Sequence, residues 1–308
     1  MWRARWIGVT LFVLPLASVL WSQTSQARIT GRVIDPDGAA IPAAEVVATN
    51  EETGVSTRSQ TNEAGIYVLP FLPPGRYTIT ATVTGFKKYE RKGLVLETAQ
   101  ELALDIRMEL GSVTEVVEVS AEAPLLESTS ATVSQFLDSR VVTEMPLGNR
   151  RALELVRLAA NTVWVDYSGL AKPLFSLAGG RTENQMFWLD GGNIQNMRLG
   201  VGQVDVDPPV EVIREFRVVQ NNYSAEFGGS AGGLVVTSTK SGTNQFRGSL
   251  FEYFRNDKLD AAGFFAPTEG TRKIKAPLRY NLFGATLGGP IVRDRTHFFA
   301  GYEGTRRT

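Results

Sequence analysis

Short runs of alternating apolar and polar residues, separated by glycine and proline, dominate this chain. Residues 29–35 alternate and stop at Pro36, Asp37 and Gly38, where proline sets φ and glycine supplies the permissive position. Residues 45–50, 55–60, 65–69, 77–84 and 102–110 repeat the pattern at the spacing of a sandwich. The turn at Leu72, Pro73, Pro74 and Gly75, and the step at Gly85 and Phe86, divide the later runs. Residues 28–110 are therefore predicted to form one small all-β domain, with Tyr67 and Tyr77 in the core between its sheets.

Residues 111–135 read as a connector, in which residues 115–121 are a short β-prone segment before a Ser/Thr-rich run. This segment predicts either a strand leading into the next domain or an extended peptide onto which a partner adds a strand. The latter role falls on Val116, Val117, Glu118, Val119 and Ser120. Residues 136–244 predict a mixed α/β domain. A short helical or extended piece stops at Pro146, and residues 149–159 carry helical periodicity behind Asn149 as cap. A strand at 185–189 is halted by Asp190, Gly191 and Gly192, and residues 210–219 alternate as a strand. A glycine-dense turn at 228–233, a strand at 234–237 and a polar hinge at 240–244 close the domain.

Beyond the hinge, residues 246–254, 280–287 and 297–304 are strands rich in exposed-type aromatics. Their lengths approach the ~9–11 residues of a tilted membrane strand. Residues 256–277 are expected as a long surface loop, with a tight turn on the other side made by Gly288 to Pro290 and Arg293 to Arg295. The fold class is thus mainly β: a sandwich, an α/β domain, then the first strands of an incomplete barrel. A barrel in lipid must close, and bacterial barrels need at least ~8 strands. The reading accordingly expects residues 245–308 to begin a longer barrel.

Composition narrows the chemistry. The 308 residues carry 32 basic and 32 acidic side chains, so no global field favours nucleic acid. With no cysteine and one histidine, His297, disulfides, thiol chemistry, HExxH sites and His-based triads elsewhere are excluded. Arg3 and Arg5 precede an apolar run of about 15 residues, shorter than the ~20 of a membrane span. Ser25 and Ala27 then offer small residues at a cleavage site, so residues 1–27 are expected to be a secretory signal peptide. No later segment has the length of a transmembrane helix.

Several motifs carry a family resemblance. Gly31, Arg32 and Val33 with Asp37 and Gly38, then Ile41 and Pro42, Thr61 to Tyr67, Leu72 to Tyr77, and Gly85 with Phe86 resemble a carboxypeptidase regulatory-like domain. That resemblance implies a seven-stranded prealbumin-like sandwich, and no peptidase. Pro146 to Asn149, Ala178 to Arg181, Phe187 to Asn193 and Tyr223 to Lys240 resemble the plug of TonB-dependent outer-membrane receptors of the Oar-like subgroup. Phe283 to Ile291 and Thr296 to Glu303 are similar to the start of that subgroup's barrel.

The resemblance implies nutrient uptake through a bacterial outer membrane, a plug inside the barrel lumen, and energy from TonB with ExbB and ExbD. TonB would engage the connector, the full barrel would face outer-membrane lipid, and the sandwich and connector would be periplasmic. Plug loops carrying Arg181, Glu183, Asn184, Asn193 and Asn196 are the candidate contacts for an unknown nutrient ligand. No cofactor, metal or catalytic residue is expected. A secreted adhesion or carbohydrate-binding protein is the alternative. Asp190 with Gly191 reads as a turn; Asp205, Asp207 and Glu211 lack calcium-loop spacing; Arg150 and Arg151 read as solvated or interface charge; and His297 is structural.

Overall fold

The computed structural model describes residues 26–112, 116–120, 133–137, 139–147, 150–165, 174–182, 184–195, 204, 206–223, 227, 232–270 and 272–308. The expected signal peptide lies almost wholly outside them.

The N-terminal strands are β1 (Ala27–Ile34), β2 (Glu45–Asn50), β3 (Ser56–Gln60), β4 (Ile66–Leu72), β5 (Gly75–Thr82), β6 (Lys88–Leu96), β7 (Glu101–Ala103), β8 (Ile106–Arg107) and β9 (Val116–Ser120). They form two sheets, ordered β4-β1-β7 with β8 also on β1, and β3-β2-β5-β6-β9. Alternate residues of facing strands meet between the sheets, as period two requires: Ile29, Val33, Val46, Ala48, Leu69, Ile79 and Ala81 are all buried. Tyr67 and Tyr77 fill this core as expected. Their hydroxyls donate to the carbonyls of Leu104 at 2.6 Å and Pro73 at 2.7 Å, so neither buried phenol is left unpaired. At Gly31 a Cβ would lie 1.9 Å from the Leu104 carbonyl oxygen, so only glycine fits there.

Sequence reasoning missed β6. Lys88, Glu90, Arg91, Lys92 and Gly93 make the run look like a polar loop. Only Tyr89, Leu94 and Leu96 turn inward, and a register shift against β5 between Tyr77 and Ile79 breaks the two-residue period.

The middle of the chain forms β10 (Val133–Leu137), a short helix α1 (Ser139–Glu144), a 3₁₀ helix (Ala152–Leu158), β11 (Thr162–Val165), β12 (Leu174–Leu177), β13 (Met186–Leu189), β14 (Gly192–Asn193), a second 3₁₀ turn (Val210–Val212), β15 (Ile213–Asn221) and β16 (Leu234–Thr239). The central sheet runs β10-β15-β16-β13-β14, and β11 and β12 form a separate hairpin. Leu137, Val142, Leu155, Val156, Phe175, Phe187, Phe216 and Val218 pack into one core. The hairpin is clamped on it by Phe175, whose ring meets Phe187 edge-on at 5.6 Å.

Two expectations are corrected here. The helical run 149–159 is a 3₁₀ helix that starts after Arg151 without a side-chain cap; Asn149, the expected cap, lies outside the described residues. Strand 210–219 starts later, at Ile213, and is buried on both faces, not on one. Its place between β10 and β16 and the cover from the sandwich remove the solvent that alternation implies.

The last strands are β17 (Arg247–Asn256), β18 (Thr268–Glu269), β19 (Arg272–Lys273), β20 (Arg279–Val292) and β21 (Thr296–Arg307). β17, β20 and β21 pair antiparallel in an open three-stranded wall, while β18 and β19 make a small hairpin inside the long loop. Leu250, Phe254, Phe283, Leu287 and Tyr302 are exposed on one face of the wall. Tyr253, Leu282 and Thr286 belong to the other, so the two-residue period divides the wall into two faces. The expected turn falls on its second part only: the chain reverses at 293–295, while Gly288 to Pro290 are strand, Gly288 paired with Phe299 and Pro290 with His297. Proline is tolerated there because the ladder is near its end, with a register shift just beyond it.

Candidate functional site at the junction of sandwich, plug and wall

Three clusters of polar side chains join these parts. In the first, the turn after β6 brings Thr98, completely buried, against the central sheet. Its backbone N–H and its hydroxyl both donate to Glu215 Oε2, at 2.6 and 2.5 Å, and the hydroxyl lies 2.8 Å from Ser238 Oγ. Arg217 donates through Nη1 to the Thr98 carbonyl at 3.1 Å and through Nη2 to Ser134 Oγ on β10 at 2.9 Å. One guanidinium therefore ties the sandwich to the edge strand of the sheet. Burial pushes the Glu215 carboxyl above the ordinary range, against the lowering effect of its Thr98 hydrogen bonds and of Arg214 and Arg217.

A second contact lies beside it. Arg214 reaches Glu52 of the β2–β3 turn at 3.4 Å, and the Glu52 carbonyl accepts from Asn244 N–H at 2.9 Å. Asn244, in the hinge, also donates through Nδ2 to Asp294 at 2.7 Å and stands 3.0 Å from His297 Nε2. The sandwich thus rests at the end of the wall where the short turn 293–295 lies. His297 has the structural surroundings expected of it.

The third cluster joins plug to wall. Arg150 and Glu211 pair at 2.5 Å with side chains only 8% and 10% exposed. The Tyr253 hydroxyl of β17 donates to the same Glu211 oxygen at 2.7 Å, and the Arg150 guanidinium lies 3.9 Å over the Tyr253 ring. Lys240 at the hinge donates to the Glu211 carbonyl at 2.8 Å, and burial lowers its ammonium, with Glu211 opposing. Arg150 is therefore an interface charge, not a solvated one. Asp190, read as a turn residue, adopts φ 47° and caps β16: its two oxygens accept the N–H and hydroxyl of Thr239, each at 2.8 Å.

The connector residues Val116, Val117, Glu118, Val119 and Ser120 do form a strand. It pairs parallel with β6, Lys88 opposite Val116 through Lys92 opposite Ser120, as the last strand of a sandwich sheet. Among the loop candidates, Arg181 and Asn184 are exposed before β13, and Asn193 is exposed on β14 opposite Trp188. Arg181 and Asn184 thus stand at the start of β13 and Asn193 beside its far half. Glu183 and Asn196 lie outside the described residues. Among the described residues no group of three or more His, Asp and Glu could hold a metal ion, and no helix is long and apolar enough to cross a membrane.

Sequence reasoning missed Thr98, Glu215, Arg217, Ser238 and Tyr253. The available signal was the charge density of β15, where Arg214, Glu215 and Arg217 interrupt a valine-rich strand.

Two family models match parts of the chain. Residues 28–109 match the carboxypeptidase regulatory-like domain, and residues 238–308 match an outer membrane beta barrel domain. The TonB-dependent transporter Oar of Myxococcus xanthus is 28% identical over 304 residues, 94% of this chain. The chain resembles a TonB-dependent transporter. It spans 28% of the length of that relative. Among solved structures, the siderophore receptor PirA of Acinetobacter baumannii is 21% identical, with 56% of this chain and 24% of that one covered and a TM-score of 0.42. A ferric enterobactin receptor mutant of Pseudomonas aeruginosa is 15% identical, with 52% and 22% covered and a TM-score of 0.37.

Proposed function

We propose that this chain supplies the sandwich, connector, plug and first wall strands of an outer-membrane receptor that takes up a nutrient ligand by TonB-dependent transport. Its domains are residues 28–110, 111–135, 136–244 and 245–308. The observation that carries the reading is the Arg150–Glu211–Tyr253 cluster, which fixes a five-stranded sheet to a strand wall whose opposite face exposes Leu250, Phe254, Phe283, Leu287 and Tyr302. A sheet held by a few polar contacts at such a wall is suited to a gate, because local contacts yield without global unfolding.

The chain acts by moving the gate, not by chemistry on the ligand. TonB, energised by ExbB and ExbD, engages Val116 to Ser120 and pulls. The load passes along the chain to β10, the edge strand of the plug sheet. Arg181, Glu183, Asn184, Asn193 and Asn196 contact the ligand from the outer side. The short turn at 293–295 on the sandwich side supports a periplasmic sandwich, since barrel turns are short on that side. Deleting residues 115–121 and measuring growth and uptake on candidate nutrients tests the coupling: uptake is expected to fall to background, and unchanged uptake would refute it.

A further inference from the structure

We propose that the sandwich is a presenting platform for energy coupling. It holds β9 as a ready sheet edge, and a strand of the coupling protein adds to that edge while β9 stays in place. This rests on the reading of the connector as the TonB-contacting segment.

The geometry carries the idea. β9 pairs with β6 in parallel register over its whole length, Lys88 to Lys92 against Val116 to Ser120, and it ends the order β3-β2-β5-β6-β9. In a sheet, the backbone N–H and C=O groups of successive residues point alternately to the two neighbours. Pairing with β6 therefore occupies one side of β9 and leaves a second row for another strand. Among the described residues no strand takes that row.

The two edges differ in character. β6 carries Lys88, Arg91 and Lys92, and its Gly93 adopts φ 71°. Lysines and backbone irregularity are the features by which natural proteins blunt an edge. β9 covers that edge with Val, Val, Glu, Val and Ser, which has no proline, no glycine and no basic residue. The added strand thus lacks the edge-blunting residues that the strand beneath it carries.

Presentation also removes an entropic obstacle. A free connector would have to become extended as its partner binds, whereas β9 is already extended against β6. Load on β9 then has two routes into the plug. One is covalent, through residues 121–132 to β10. The other runs through β6 to Thr98, which binds Glu215 and Arg217 of β15.

The chain has no cysteine, so engineered pairs form without competing thiols. Glu90 and Glu118 are opposite in register, as are Arg91 and Val119. The pairs Glu90→Cys with Glu118→Cys, and Arg91→Cys with Val119→Cys, lock β9 to β6 when oxidised. Binding of the soluble periplasmic domain of the host TonB to the full-length protein in detergent is measured by interferometry, oxidised and reduced. The expected result is a Kd that changes less than about threefold on locking, and a loss of binding when residues 116–120 are deleted. A weakening beyond about tenfold on oxidation, reversed by reductant, would mean that β9 must leave the sandwich and would overturn the proposal. Failure of both pairs to oxidise, or self-association of the protein through the same edge, overturns it too. Unchanged binding after deletion instead sinks the reading of the connector itself, which separates the two failures.

Discussion

Thr98 and Glu215 are 117 positions apart, and a single carboxylate oxygen of Glu215 accepts both the backbone N–H and the hydroxyl of Thr98. The pair joins a turn of the sandwich to β15, an inner strand of the plug sheet. Removing the hydroxyl by Thr98→Val leaves a buried carboxylate with one fewer donor and Ser238 without its contact. The expected loss is about 1–3 kcal/mol in denaturant unfolding of the purified protein. A change within about 0.5 kcal/mol would show that the contact carries no weight.

The same carboxylate sets a pH dependence. Burial raises the folded-state Glu215 above its unfolded value, despite Thr98, Arg214 and Arg217. A raised carboxyl contributes stability below the unfolded pKa, and that contribution is lost as pH rises through the folded one. Folding stability is therefore expected to be greatest in mild acid and to fall toward higher pH, starting above the ordinary Glu value of ~4.3. Unfolding measured across this window should flatten in Glu215→Gln. A wild-type profile that rises with pH through the window, with Gln unchanged, would reverse the assignment.

Arg150 and Glu211 make the plug–wall contact directional. Arg150→Ala strands a buried carboxylate and is expected to destabilise the protein by about 3–5 kcal/mol. Replacing both residues, Arg150→Met with Glu211→Leu, removes the two charges together and should cost much less. The comparison by thermal unfolding isolates the charge effect; equal losses in the single and double variants would argue for packing alone.

Gly233 is held by conformation and by space. It adopts φ 93°, and a Cβ would lie 2.7 Å from the Val219 carbonyl oxygen. Gly38 has φ 88° with nothing near its Cβ position. Gly38→Ala should therefore show only the backbone term of about 1–2 kcal/mol, and Gly233→Ala distinctly more. Equal effects in unfolding would remove the steric part of this argument.

The sandwich was legible because its alternation reports one buried face per strand, and its turns carry proline and glycine where φ demands them. Tyr67 and Tyr77 were visible as core for that reason. β6 escaped notice because three of its central positions carry charge that only its sheet neighbours explain. Strand 210–219 was found, yet its second buried face was not, since burial of Glu215 and Arg217 depends on a turn more than a hundred residues away.

Sequence alone determined most of the segments that become strands, where most turns fall, and the absence of thiol and multi-histidine chemistry, because these follow from local φ preferences, two-residue periodicity and composition. Tertiary structure decided what the polar residues do. Arg150, Glu211 and Tyr253 come from three separate segments, and their meeting has no local signature. The connector strand was readable as β-prone, but its parallel place on β6 was not. Hydrogen bonding between distant backbones leaves no pattern in either stretch, so only the folded chain shows which edge each strand joins.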